Sequence, residues 1–557
     1  MRKVLPMFAL LLTCISSFLL GTAYQPAPEA ITADIANYAS KVFGIEFSPV
    51  ERDSMVEKLN SQLQGFERVR KIPLTNDIVP STQFNPIPVG FVFEKNQSPV
   101  KFSPLGKVTM PKVHDSLAFY TVAQLGVLIR TKQISSVELT QFFINRLKKY
   151  NPTLFNVVTF TEDLAMAQAQ RADAELKAGK YRGPLHGIPY GAKDLLVKKN
   201  YPTTWGSNIY KNQLLPYDAT VIQKLEKAGA VLIAKMSMGE FAMGDVWFGG
   251  KTRNPWDTET GASGSSAGSG SAVSAGCLPF AIGTETLGSI VSPSTVNGIT
   301  GLRPTFGRVS RYGAMALSWT MDKIGPMART VEDCALVFEA IRGSDGLDAT
   351  VRDLPFNYQP LSSLKGMRIG YLKKAFESSY PNRANDSLTL QKLRELGAVL
   401  IPFELPSYPV GDLTIAIGVE GAAAFDELTF TNKDDQMVRQ TKNAWPNAFR
   451  AARFVPAVEY VQALRVRTKM IEDLYQVLKK EKIEVYITPA YAGGNLTYTN
   501  LSGHPSICLP NGFNKNGLPT SITFTSQLYA EAKLLGVAKV YQDATAWHKK
   551  HPKSFIK

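Results

Sequence analysis

The chain has 557 residues, of which 44 % are hydrophobic and 20 % charged, and its mean hydropathy is −0.08. This balance excludes a disordered chain and a membrane-embedded one. The formal net charge of +15 would suit a nucleic-acid binder, but the basic residues are scattered and no arginine-rich tract is interleaved with aromatics. We therefore interpret the charge as a solvated basic surface and predict no nucleic-acid partner.

The first residues resemble a targeting signal. Met1-Arg2-Lys3 precedes an apolar run over 4–20 and the small residues 21–23. This pattern predicts a signal peptide at 1–23, cleavage after Ala23, export to the periplasm or outside the cell, and no stable membrane insertion afterwards. A membrane anchor and a lipid on Cys14 are the alternatives. Thr13 and the continuing apolar run argue against the lipid.

Residues 24–115 are predicted to form an N-terminal extension. The segments 31–43 and 49–69 have helical periodicity, and Ser48 with Glu51 forms a capping box before the second one. Residues 72–110 are rich in proline, asparagine and serine. Because so long a loop is uncommon in a compact protein, we predict an extended arm that wraps the main domain.

From residue 117, helical patterns alternate with short apolar runs. Helices are predicted at 136–149, 162–178 and 528–547, and buried strands at 231–234, 368–372, 399–402 and 485–488. The alternation predicts an α/β fold in which a mixed β-sheet is covered by helices on both faces. The three cysteines beyond Cys14 are widely spaced, so the sequence predicts neither disulfides nor a metal site, and no cofactor.

Residues 261–301 contain nine glycines and nine serines, and Glu285 is their only charged side chain. The apolar run 278–283 inside this segment predicts a buried strand rather than a surface linker. A serine nucleophile needs a base. The chain has five histidines, and none lies in a glycine-rich turn; His186 and His504 are equally consistent with structural roles. A lysine base is therefore favoured.

A formal G-x-S-x-G match spans 264–268, but the preceding residues 253–263 are polar and rich in turn formers. A hydrolase elbow needs an apolar strand there. Four motifs instead resemble the amidase signature family: HGIPYGAKD at 186–194, GSSAGS at 264–269, GTETLGSI at 283–290 and GITGLRPTFGRVSRYG at 298–313. The resemblance implies a twisted mixed sheet, an amidase domain at 116–548 and a basic tail at 549–557.

The resemblance also implies a catalytic triad. Lys193 would be the base, Ser265 the proton relay that follows a cis peptide bond, and Ser289 the nucleophile that forms an acyl-enzyme. Burial in a segment almost free of charge would lower the pKa of Lys193 from about 10.4 towards about 7 to 8. The main-chain N–H groups of Thr286, Leu287, Gly288 and Ser289 would form the oxyanion hole.

Three residues depart from the commonest family pattern. Leu287 stands where glycine is frequent, Glu285 where aspartate is, and Val291 where an arginine often follows the nucleophile. The loss of that arginine argues against a substrate that depends on the cation. We assign the charged residues near the site to structural roles; these are Asp194, Glu285, Arg303 and Asp322.

The leading interpretation is an exported amidase that hydrolyses the C–N bond of a small amide or peptide amide, as a monomer or homodimer. One alternative is the glutaminase-type component of a tRNA-dependent amidotransferase. Another is a non-catalytic binding protein on the same scaffold. We expect the helix-rich region 413–480 to cover the site, although Trp445, Phe449 and Phe454 are more typical of core residues.

Overall fold

A computed structural model describes residues 30–72 and 74–556. The chain divides into two compact units, with the division between Leu74 and Thr75. The predicted signal peptide, its cleavage position after Ala23 and Cys14 lie outside the described residues. Within the described part of the chain, no helix combines the length and the apolar character needed to cross a membrane.

The first unit contains two helices, α1 (Ala33–Val42) and α2 (Pro49–Arg70). The predicted capping box is confirmed at the start of α2. The Ser48 hydroxyl accepts a hydrogen bond from the Glu51 N–H, and the Glu51 carboxylate accepts one from the Ser48 N–H at 2.7 Å. Both predicted helices are therefore present, and their ends agree with the sequence to within about two residues.

The second unit begins with an extended arm, residues 75–113, which forms neither helix nor strand. Instead, its main chain is bound by the domain. Lys101 N–H donates to the Tyr358 carbonyl at 2.9 Å, and Ser103 N–H donates to the Glu332 carboxylate at 2.7 Å. The predicted N-terminal extension is thus divided between the units: its helices lie in the first and its arm in the second.

An eleven-stranded mixed sheet forms the centre of the second unit. The strands are β1 (Val157–Phe160), β2 (Pro189–Lys193), β3 (Val231–Met236), β8 (Phe280–Glu285), β9 (Thr300–Arg303), β10 (Lys323–Ala328), β11 (Arg368–Leu372), β12 (Val399–Phe403), β13 (Val485–Pro489), β14 (Ser506–Phe513) and β15 (Pro519–Ser526). Their order across the sheet is β1-β3-β2-β8-β10-β9-β14-β15-β13-β11-β12. Two small hairpins lie outside the sheet, β4 (Val246–Trp247) with β5 (Gly250–Lys251) and β6 (Arg253–Asn254) with β7 (Asp257–Gly261).

The second unit has fifteen described α-helices, of which several pack against this sheet. The fifteen are α3 (Val122–Arg130), α4 (Ser136–Leu154), α5 (Glu162–Lys177), α6 (Thr220–Lys227), α7 (Ala267–Ser274), α8 (Val291–Asn297), α9 (Val331–Ile341), α10 (Lys373–Glu377), α11 (Arg383–Glu395), α12 (Ile415–Ala424), α13 (Asp426–Phe430), α14 (Trp445–Ala452), α15 (Ala457–Lys480), α16 (Asn495–Ser502) and α17 (Glu531–Thr545). The predicted α/β fold with a large mixed sheet is confirmed.

One predicted helix end is wrong. The sequence predicts that Asn151-Pro152 ends the helix that starts at Ser136, but α4 continues to Leu154 with Pro152 inside it. Pro152 removes only the one hydrogen bond that its own N–H would donate to the carbonyl of Lys148, and the helix ends two residues later. The helix ends at Phe155, whose left-handed backbone (φ 51°) lets its N–H bind the Asn151 carbonyl at 2.8 Å.

The core is formed where helices cover the sheet. β2, β3, β8, β10 and β13 are buried along their whole length. Cys277, Cys334 and Cys508 are all buried and carry free thiols. The stability of the second unit therefore rests on apolar packing rather than on covalent cross-links among the described residues.

Candidate active site

The sheet brings two of the predicted site segments together. Lys193 is the last residue of β2, and residues 286–289 directly follow β8. These strands are parallel neighbours, with Gly191 opposite Ala281 and Ala192 opposite Ile282. Parallel neighbours end at the same sheet edge, so Lys193 lies beside the loop that carries Ser289.

Ser265 lies in the loop between the β6–β7 hairpin and helix α7, and this loop meets the same sheet edge. The Gly264–Ser265 peptide bond is cis, as the resemblance implies. A side chain at Gly264 would place its Cβ 1.7 Å from the Gly244 carbonyl oxygen, so only glycine fits this close approach. The polar hairpin before it is not an apolar sheet strand, which excludes the hydrolase-elbow interpretation of residues 264–268.

Lys193 is completely buried and its amine contacts neutral oxygens. Nζ lies 2.8 Å from Ser265 Oγ, 2.9 Å from Thr284 Oγ1 and 3.3 Å from the Thr284 carbonyl. Burial lowers the pKa of Lys193 to about 7, although Asp322 and Glu285 oppose this shift. A neutral amine that touches a serine hydroxyl can act as a proton acceptor near neutral pH.

Ser289 lies in the same cluster and is 6 % exposed. Its carbonyl accepts a hydrogen bond from the Ser266 N–H at 3.2 Å, which connects the loop of Ser289 to the residue after Ser265. The structure therefore brings Lys193, Ser265 and the Ser289 backbone to one place.

The loop before Ser289 carries free donors. No described residue accepts a hydrogen bond from the main-chain N–H of Thr286, Leu287, Gly288 or Ser289. Gly288 has φ 84°, which turns the chain within this loop. Four successive N–H groups without partners are the donors that an oxyanion requires.

Glu285 fixes the other side of this loop. Its Oε2 accepts hydrogen bonds from the N–H groups of Ile290 and Val291 at 2.8 and 2.9 Å, while Oε1 binds Arg303 at 2.7 Å and Asn500 at 2.7 Å. Burial raises the pKa of Glu285, but Arg303 and these donors outweigh it and hold that pKa at about 2. Glu285 is therefore an ionised structural carboxylate.

The other nearby charges are also engaged. Asp194 and Lys235 form a fully buried ion pair at 2.8 Å. Asp322 accepts from Thr286 Oγ1 at 2.5 Å and from the N–H groups of Leu317 and Ser318. Asp194, Glu285, Arg303 and Asp322 thus hold the framework around Lys193, and none of them forms an ion pair with it in the described chain.

The two histidines left open by the sequence take part in other contacts. His186 Nε2 lies 2.9 Å from the Ala172 carbonyl, and His504 Nδ1 lies 2.8 Å from Ser502 Oγ. Burial lowers the pKa of His504 to about 3. Neither ring forms a hydrogen bond with Lys193, Ser265 or Ser289, which favours structural roles for both.

Sequence reasoning missed two residues of the site. Thr284 binds the lysine amine, and Asn500 from α16 binds Glu285. Thr284 lies inside the motif at 283–290, so its position in that motif could have indicated a role in the site. Asn500 is 215 residues from its partner Glu285, and nothing in the local sequence indicates the contact. Of the aromatics named in the 413–480 region, Trp445 stacks on the buried Phe449 with ring centroids 5.0 Å apart, whereas Phe454 is 63 % exposed and does not belong to the core.

Comparisons with known proteins agree with this geometry. A family model described as Amidase matches residues 138–496. The chain is 36 % identical over 484 residues to a component of the glutamyl-tRNA(Gln) amidotransferase from Coxiella burnetii, covering 78 % of this chain and 99 % of that protein. Its fold is similar to native peptide amidase from Stenotrophomonas maltophilia, with 29 % identity, a TM-score of 0.70 and coverage of 78 % and 98 %. An amidase family protein from Bacillus anthracis gives 26 % identity, a TM-score of 0.71 and coverage of 78 % and 93 %.

A first prediction concerns the nucleophile. Fluorophosphonate should label Ser289, and mass spectrometry should locate the adduct there. Ser289→Ala should abolish labelling, and Lys193→Met should slow it about 10²- to 10⁴-fold because the base is lost. Ser271→Ala and Lys211→Met are matched controls that should label at the wild-type rate. An adduct on another serine would contradict the assignment.

A second prediction concerns pH. The labelling rate should rise as Lys193 loses its proton, with a midpoint near pH 7, and level off above it. Asp322→Asn removes a negative charge that favours the ammonium form, so its midpoint should move to lower pH. The distant surface variant Asp163→Asn should leave the midpoint in place. A profile that is flat from about pH 5 to 9 would show that no group with this pKa controls the reaction.

Proposed function

Because the chain belongs to the amidase signature family and hydrolyses amide C–N bonds, we propose that it does so through an acyl-enzyme on Ser289, with Ser265 as relay and Lys193 as base. The observation that carries this proposal is the hydrogen bond of 2.8 Å between a fully buried lysine amine and Ser265 Oγ. A lysine placed for an ion pair would contact a carboxylate instead.

In the proposed mechanism, neutral Lys193 accepts a proton from Ser265 while Ser265 takes the proton of Ser289. The Ser289 oxygen attacks the substrate carbonyl, and the negative charge forms on the carbonyl oxygen beside the N–H groups of residues 286–289. The proton then passes through Ser265 to the leaving nitrogen, and the C–N bond breaks. Water repeats the path and releases the acid and free Ser289.

A second candidate has support from the relatives. The protein from Coxiella burnetii is named as part of an amidotransferase, so this chain could make ammonia for a partner enzyme. Val291 stands where the family often has an arginine, which disfavours a substrate held by that cation. We therefore propose a small amide or peptide amide as substrate, and a chain that acts as a monomer or homodimer.

The two candidates differ in a direct assay. The purified chain alone should release ammonia from neutral carboxamides or peptide amides, and should hydrolyse glutamine at least about tenfold more slowly. Ser289→Ala should show neither activity, because no acyl-enzyme can form. Light scattering should show a monomer or homodimer. Glutamine hydrolysis that requires co-purified amidotransferase components would favour the second candidate, and an inactive protein that binds amides would favour a binding role.

We also propose that the chain is exported. Its support is the sequence pattern of Met1-Arg2-Lys3, the apolar run 4–20 and the small residues 21–23. Cell fractionation of the native host with N-terminal sequencing tests this. The mature protein should begin at Tyr24 and appear outside the cytosol. A chain that retains Met1 in the cytosolic fraction would overturn the proposal.

A further inference from the structure

The extended arm contributes to a cavity next to the proposed active site. This cavity has a volume of about 230 Å³. Thr284, which binds the Lys193 amine, and Thr286, whose main-chain N–H is free of described acceptors, both line it. The cavity therefore borders the loop that carries the proposed oxyanion donors. Its position makes it a binding region for a group attached to the substrate carbonyl.

Residues 76–83 of the arm include six that line the same cavity, and both ends of this segment are fixed. Asn76 accepts a hydrogen bond from the Ala316 N–H at 2.7 Å and donates one to the Ala316 carbonyl at 3.0 Å. At the other end, Phe84 packs against Phe306 with ring centroids 5.1 Å apart, and the Arg467 guanidinium lies 3.6 Å from its ring centre. Because both ends are held, the segment forms a defined wall rather than a free loop.

Apolar surface in this cavity is not covered by protein. Val79 is 58 % exposed and Leu347 is 58 % exposed, and both line the cavity. Met315, Leu317 and Ile324 add buried apolar side chains to its lining. Exposed aliphatic groups around a pocket favour an apolar ligand, since its binding removes that surface from water.

The two positively charged side chains that line the cavity already have hydrogen-bond partners, and the other charged side chains in the lining are carboxylates. Arg311 is paired with Asp348 at 2.9 Å. Lys323 is 3 % exposed and donates to the Met321 carbonyl, and burial together with Arg303 lowers its pKa well below the ordinary value. Asp77 on the arm adds a carboxylate to the lining. Among the described lining residues, Arg311 is ion-paired and the Lys323 amine is buried against the Met321 carbonyl, so neither presents an exposed cation to an anionic group.

We propose that residues 76–83 form one wall of the acyl-binding cavity and select substrates whose acyl group is uncharged and apolar. The arm lies outside residues 138–496, which the family model matches. The proposal rests on the proposed function, since it names the substrate class of the same site.

Equilibrium binding tests the proposal without turnover. In full-length Ser289→Ala protein, calorimetry compares acetamide, butanamide, pentanamide and succinamate, which is similar in size to pentanamide but ends in a carboxylate. Affinity should rise up to about fourfold per added methylene. Pentanamide should bind at least about tenfold more tightly than succinamate, because the carboxylate loses water without gaining a cation. Equal binding of succinamate and pentanamide would overturn the proposal.

A variant pair tests the wall itself. Val79→Trp should reduce the ratio of pentanamide affinity to acetamide affinity at least about tenfold, because the indole fills the cavity. Val92→Trp, on the same arm at an 82 % exposed position outside the cavity, should keep the wild-type ratio. Both positions are exposed, and circular dichroism should confirm that both variants fold. A ratio that Val79→Trp leaves unchanged would overturn the role of the arm.

Turnover measurements separate this proposal from the proposed function. A series of anilides with one acyl group and varied amines should show no dependence on residue 79. If Val79→Trp alters only the amine series, the acyl assignment is wrong. If wild-type protein fails to hydrolyse pentanamide while Ser289→Ala binds it with the expected selectivity, the proposed function fails and the cavity assignment stands. If the wild-type protein hydrolyses pentanamide but Val79→Trp keeps the wild-type acyl preference, the proposed function stands and the cavity assignment fails.

Discussion

The site depends on burying one lysine amine without a counter-ion. An ammonium surrounded by Ser265 Oγ and Thr284 oxygens has lost its water and gained no carboxylate, so the neutral amine becomes accessible near pH 7. This environment exists because each nearby carboxylate already has another partner. Asp194 follows Lys193 directly, yet it pairs with Lys235 on the neighbouring strand β3. Burial without an ion-pair partner is therefore what lowers the pKa of Lys193, the proposed base.

The main-chain donors of the loop around Ser289, the proposed nucleophile, form two sets. Glu285 takes the N–H groups of Ile290 and Val291, and those of residues 286–289 remain without a described acceptor. Arg303 and Asn500 hold Glu285 from two other parts of the fold. A buried ion pair contributes little net stability on its own, because desolvation offsets attraction. Here the Glu285–Arg303 pair holds the loop in one conformation, and in that conformation the N–H groups of residues 286–289 have no described acceptor.

The sequence predicted the components that depend on local pattern. Capping at Ser48, the apolar runs that became β3, β11, β12 and β13, and the motifs around Lys193, Ser265 and Ser289 could all be identified in the sequence. The predicted burial is wrong for β12, which lies at the sheet edge with only Phe403 buried. The sequence could not predict contacts between residues that are far apart along the chain. Asn76 meets Ala316 240 residues later, and nothing near Asn76 indicates this contact. Pro152 was misjudged for another reason: its effect depends on its place in the last helical turn.

The buried thiols of the second unit have a consequence for its chemical durability. Burial raises the pKa of Cys277 to about 12 and that of Cys508 to about 11, and it raises the pKa of Cys334 as well. At neutral pH these residues hold almost no thiolate, which is the form that oxidants and electrophiles attack. Peroxide, glutathione disulfide and thiol-alkylating reagents should therefore leave these three thiols of the native unit unmodified. A fold held together by apolar packing can in this way persist in an oxidising medium.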